Sequence, residues 1–138
     1  MEDTREPIRF LTTEDIYKIN IDLIKSFGGW IADIPNLRQG ISLDYMFLVI
    51  SQPIYNLEAH PTIIDKAAYI AWYIITRHPF YDTNKRTAIQ AVIEFLELNG
   101  HNTNFDAIDV IEKVIAVENK SFTYNDLRDW IARNIRHE

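Results

Sequence analysis

Nine consecutive residues, His78-Pro79-Phe80-Tyr81-Asp82-Thr83-Asn84-Lys85-Arg86, gather a base, a carboxylate, an amide and two cations. An imidazole titrates near neutral pH and can take the proton of a hydroxyl. A carboxylate can hold Mg²⁺, which commonly binds one or two carboxylates together with substrate phosphates. Lysine, arginine and asparagine donate hydrogen bonds to anionic oxygens. The set therefore fits chemistry on a phosphate ester, with His78 as general base, Asp82 as metal ligand, and Asn84, Lys85 and Arg86 as partners for the anion. Taken singly, each has a plainer role as a helix cap, loop residue or solvated charge. No other stretch of the chain is as dense in reactive side chains.

Positioning these groups requires a rigid element on each side, and the pattern supplies two helices. Upstream, Thr62 with Asp65 predicts a capped start, and Ile63 to Thr76 is apolar on nearly every face, as a central buried helix must be. Pro79 ends it, because the residue before a proline avoids the helical region. His78 falls at its C-terminal cap, and Phe80 is the apolar pin that fixes the loop to the core. Downstream, Lys85 to Leu98 confines its polar residues to a stripe of Thr87, Gln90, Glu94 and Glu97, and Asn99-Gly100 stops it. Its start leaves free N–H groups around Asn84 to Thr87, at the positive end of the helix dipole, where an anion is favoured.

The rest of the chain is also helical in pattern. A capping pair of Thr12 and Asp15 opens a helix to Lys25, stopped by Gly28-Gly29. A second helix spans Gly40 to Ser51. Gln52 to Pro61, bounded by prolines, reads as a loop or short hairpin. Two further helices follow near Asp106 to Val117 and Thr123 to Arg136, with Asp109 and Asp126 as capping acids and a solvated charged face from Asp126 to Arg136. Trp30, Trp72 and Trp130 are assigned to the core. The expectation is an all-α fold, a compact single domain over residues 1–138 with about six helices, its two central ones joined by the nine-residue loop.

Composition narrows the function classes. The 138 residues are 47% hydrophobic and 25% charged, without cysteine, which excludes thiolate metal sites, cysteine nucleophiles and disulfides. A net charge of −6 argues against non-specific binding to nucleic acid or anionic membrane. The longest nearly apolar run, Ala67 to Ile75, is far short of the roughly 20 residues that span a bilayer. The first residues lack a signal-peptide pattern, so a cytoplasmic location is expected.

The nine-residue stretch resembles the signature of the Fic/Doc (Fido) family, His-x-Phe-x-Asp/Glu-x-Asn-x-Arg. Asn84-Lys85-Arg86-Thr87-Ala88 is similar to the Doc, or "death on curing", branch, which carries Asn-Lys-Arg where Fic proteins carry Asn-Gly-Arg. The resemblance implies the family's helical fold with a flap formed by the 52–61 region, ATP and Mg²⁺ as cofactors, and His78 as the base that activates an incoming hydroxyl. It places Asp82 on the metal and Asn84 and Arg86 on nucleotide phosphates. It gives Lys85 the role of turning ATP so that a phosphoryl group is transferred. The implied activity is that of a toxin modifying a Ser or Thr hydroxyl of a target protein such as elongation factor Tu, blocking translation. Fic-type AMP transfer and a non-catalytic interaction module are the alternatives.

Three features depart from the family pattern. Thr83 stands where glycine or alanine is usual, His-Pro-Phe is the Fic-like opening, and Ser26 stands where many Doc proteins place a basic residue before the aromatic-Gly-Gly run, here Phe27-Gly28-Gly29. The Ser/Thr-x-x-x-Glu-Gly/Asn self-inhibitory sequence of many Fic proteins does not occur. A separate antitoxin is the implied regulator, docking in a groove bounded by the first helix and the 52–61 segment.

Overall fold

Four helix starts follow one rule, in which a side-chain oxygen takes a first-turn N–H that the helix leaves unpaired. In the computed structural model, which describes residues 7–51 and 62–136, Thr12, Thr62 and Thr123 each close a capping box with Asp15, Asp65 and Asp126. They open α1 (Thr13–Phe27), α3 (Ile63–Arg77) and α6 (Tyr124–Arg133). Asp106 caps α5 (Ala107–Glu118) by accepting from the Asp109 N–H. Asp109 is thus not the capping acid. Its carboxylate takes the Trp130 Nε1–H at 2.7 Å and Lys113 Nζ at 2.7 Å, tying α5 to α6.

α2 (Asp44–Ser51) begins later than the Gly40 expected from sequence. Gly40 adopts a positive φ of 79°, and the Ser42 hydroxyl accepts from the Asp44 N–H, so the chain turns before it can coil. α4 (Asn84–Leu98) follows the nine-residue loop. Among the described residues there are six helices and no strand, only isolated antiparallel bridges between Leu37 and Phe80 and between Thr103 and Ile135. The expected flap at 52–61 lies outside the described residues.

α3 is the centre, packing against α2, α4, α5 and α6, while α1 lies on α4. Ile70, Ile74 and Ile75 of α3 meet Val92, Phe95 and Leu96 of α4 and Leu127 and Ile131 of α6 in one core cluster. Each such side chain contributes about 1.5–3 kcal/mol on burial, so the two helices that carry the loop are the best-anchored part of the fold. Trp130 is buried as expected, but Trp30 is 58% exposed and meets Tyr81 edge-on, with ring centroids 5.4 Å apart.

The face from Asp126 to Arg136 is not wholly solvated, because Arg128 reaches back to the Asp65 carboxylate at the start of α3. Burial opposes ionisation of Asp65, yet its bonds to Thr62 and Arg128 outweigh that and hold its carboxyl below the ordinary value. A carboxylate with a depressed native pKa stabilises the fold above its unfolded pKa, and the contribution is lost as pH falls through the native one. Asp65→Asn is therefore expected to flatten the acid limb of the stability curve below about pH 4, measured by urea unfolding across pH. An unchanged acid limb would contradict this.

Candidate active site

The loop exists because α3 is forced to stop. His78 takes a left-handed conformation (φ 47°, ψ 58°) and its N–H still donates to the Ile74 carbonyl, closing α3 before Pro79. Phe80 then drives its ring into the core, 1% exposed and edge-on to Tyr17. Backbone bonds fasten the same stretch to the segment after α1: the Arg38 N–H donates to the Pro79 carbonyl at 2.8 Å, and the Tyr81 N–H to the Asn36 carbonyl at 3.0 Å.

Asn84 closes the loop from the other side. Its Oδ1 accepts from the Phe80 N–H at 2.9 Å, and its Nδ2 donates to the Phe80 carbonyl at 3.0 Å. An amide nitrogen carries two protons, so one donor of Asn84 remains for another acceptor. Asp82 is held as firmly: Oδ2 accepts from the Trp30 N–H at 2.8 Å and Oδ1 from the Thr83 N–H at 2.7 Å. A carboxylate offers about four lone-pair positions, which leaves Asp82 able to accept a cation. Among the described residues no cluster of three or more His, Cys, Asp or Glu could hold a metal. A metal on Asp82 would therefore draw its other ligands from phosphate and water, as Mg²⁺ does.

His78, Asp82, Asn84, Lys85 and Arg86 all line one cavity of about 460 Å³, so the loop brings the five candidate residues together. α4 points its N-terminus into that cavity, and its N-cap Thr83 makes no side-chain cap, which leaves the first-turn amides to other acceptors. Lys85 Nζ donates to Glu118 Oε2 at 3.1 Å, and the Arg86 guanidinium lies 5.2 Å from the centroid of the Phe27 ring. Thr87, placed on the polar stripe by its spacing, is instead wholly buried. Its hydroxyl donates to the Thr83 carbonyl at 2.6 Å and accepts from Asn20.

The match to family sequences follows the same boundaries. The model of the Fic/DOC family matches residues 10–96, from just before α1 to near the end of α4, with the whole loop inside. The chain belongs to the Fic/DOC family. It is also similar to Toxin Doc of Mycolicibacterium smegmatis, with 40% identity over 47 residues, 34% of this chain and 36% of that protein. The aligned part spans about a third of that relative's length.

Within the Fic/DOC frame, the groups that brace the loop were not evident from sequence. Asn20 is one, fully buried, donating to the Asp82 carbonyl at 2.9 Å and the Thr87 hydroxyl at 3.1 Å while Oδ1 accepts from Asn36. Its signal was a polar residue within the apolar stripe of Ile16, Ile19 and Ile24. Gly29 is another, at φ 140°, where an added Cβ would lie 3.0 Å from Thr83 Oγ1 and 3.2 Å from Asp82 Oδ2. Thr83 itself sits at φ 65°, a left-handed position that β-branched residues resist. That conformation costs roughly 1–2 kcal/mol, and glycine's greater unfolded freedom takes back about 0.5–1. Thr83→Gly is thus expected to raise stability by up to about 1 kcal/mol, and a lowered unfolding midpoint would contradict it.

Proposed function

We propose that this protein is a Doc-like toxin that transfers the γ-phosphoryl group of ATP to a Ser or Thr hydroxyl of a target protein. The observation that carries the reading is the convergence of His78, Asp82, Lys85 and Arg86 on one cavity at the start of α4, with lysine at position 85. In the step, the acceptor hydroxyl gives its proton to His78 while its oxygen attacks the γ-phosphorus. The bond from that phosphorus to the bridging oxygen breaks, and ADP leaves with the electron pair. Lys85, Arg86, the free Asn84 donor and the first-turn amides of α4 stabilise charge on the equatorial oxygens, where fixed donors contribute most. Mg²⁺ on Asp82, when bound, neutralises charge on the phosphate oxygens.

A toxin needs a restraint, and the surface beside the loop suits one. An apolar groove of about 450 Å³ runs between α1, α4 and α5, walled by Leu23, Phe27, Ile111 and Ile115, with Lys85 and Arg86 at its rim. An antitoxin segment folding as an amphipathic helix, with an acidic residue facing those cations, complements both features. This groove has α1 as one wall and α5 as the other; the 52–61 segment, expected from sequence to bound the docking groove with the first helix, lies outside the described residues. Elongation factor Tu is the first acceptor to assay, and a cytoplasmic location follows from such a target. The acidic chain is not matched to nucleic acid, and among the described residues no helix is long and apolar enough to cross a membrane.

Expression in a bacterial host is expected to arrest growth, and lysate proteins incubated with the purified chain are expected to take up label from γ-labelled ATP. Label from α-labelled ATP instead would replace the reading with AMP transfer. Nucleotide binding without any transfer would favour a non-catalytic module.

A further inference from the structure

Glu118 and Lys85 both sit at the wrong end of a helix. A carboxylate in a last turn faces the negative end of the dipole, and an ammonium in a first turn faces the positive end. Glu118 is the last residue of α5, whose final turn has no base, and Lys85 is in the first turn of α4, which has no acid. Each is disfavoured on its own helix and paired across to the other, Nζ to Oε2 at 3.1 Å. The same Oε2 lies 3.9 Å from His78 Nε2. Departures from local preference concentrate at functional positions.

Glu118 is also presented from a fixed support. Val117 beside it is 1% exposed in the core. With His78, Glu118 forms the wall between the loop cavity and a second cleft of about 540 Å³, lined by Trp72, Phe122 and Tyr124.

We infer that Glu118 is a specificity-determining positioning residue: its carboxylate holds the Lys85 ammonium beside the His78 imidazole, so that the transferred group is selected by a Lys–Glu pair and not by Lys85 alone. The inference rests on the transfer reaction proposed above. A lysine ammonium is a point charge on a flexible four-carbon stem, and the Lys85 side chain is 44% exposed. Without a partner it samples many rotamers, and a misplacement of about 1 Å in a transfer site can cost on the order of 100-fold.

The test compares wild type, Glu118→Gln and Glu118→Asp, each incubated with lysate proteins and ATP labelled at the α or the γ position. Glu118→Gln is expected to lower the ratio of γ- to α-label transferred by about tenfold or more, with affinity for a non-hydrolysable ATP analogue little changed and partial recovery in Glu118→Asp. A second readout needs no transfer: acylation of Lys85 by a lysine-directed reagent, mapped by peptide mass, is expected to quicken several-fold in Glu118→Gln. A wild type that transfers γ-label and a Glu118→Gln variant with the same ratio overturn this inference alone. A wild type that transfers neither label overturns the proposed function and the selecting role of Glu118 with it. Equal acylation of Lys85 in both proteins overturns the pairing itself.

Discussion

His78→Asn is expected to abolish transfer while leaving the fold intact. Loss of a general base typically lowers the rate by about 10²–10⁴-fold. The His78 side chain is 43% exposed, with its Nε2 3.9 Å from Glu118 Oε2, so little packing is lost with the ring. Asparagine is the informative replacement because it tolerates the left-handed conformation that closes α3; alanine would add strain at φ 47° and confuse the two effects. Stability should stay within about 0.5 kcal/mol of wild type. Undiminished transfer by a folded His78→Asn protein would remove His78 from the mechanism.

Asn20→Ala is expected to damage both stability and activity from beneath the loop. The truncation leaves the Asp82 carbonyl without its side-chain donor and the Asn36 amide without this acceptor. An unsatisfied buried polar group costs about 1–3 kcal/mol, and the vacated space adds to it, so a total loss of about 2–4 kcal/mol is expected. Among the described residues Asp82 then keeps only the Trp30 and Thr83 amides, and the site loosens. Urea unfolding with a loss below about 1 kcal/mol would show that Asn20 does not carry this brace.

Sequence periodicity made the helices legible because apolar spacing and Thr-x-x-Asp caps act locally. The loop motif was legible for the same reason, since nine adjacent residues hold all five candidate groups. What could not be read were contacts between distant segments. Asn20 and Asp82 are 62 positions apart, and nothing near Asn20 indicates that its amide closes on the loop. Glu118 lies 33 positions from Lys85 and bears a single local sign, an acid in a last turn without a base. Thr87 was misplaced because a hydroxyl that bonds back to the preceding turn can be buried as readily as an aliphatic side chain. Trp30 was misplaced because its backbone, not its ring, serves the fold: the N–H holds Asp82 while the indole stays exposed.

The central claim is the identity of the group transferred, and intact mass of the modified acceptor tests it most directly. The acceptor is purified from lysate after incubation with this chain, ATP and Mg²⁺, and its mass is compared with that of the untreated protein. The account predicts a gain of one phosphoryl group on a Ser or Thr, absent with His78→Asn. A gain of one AMP group would contradict it.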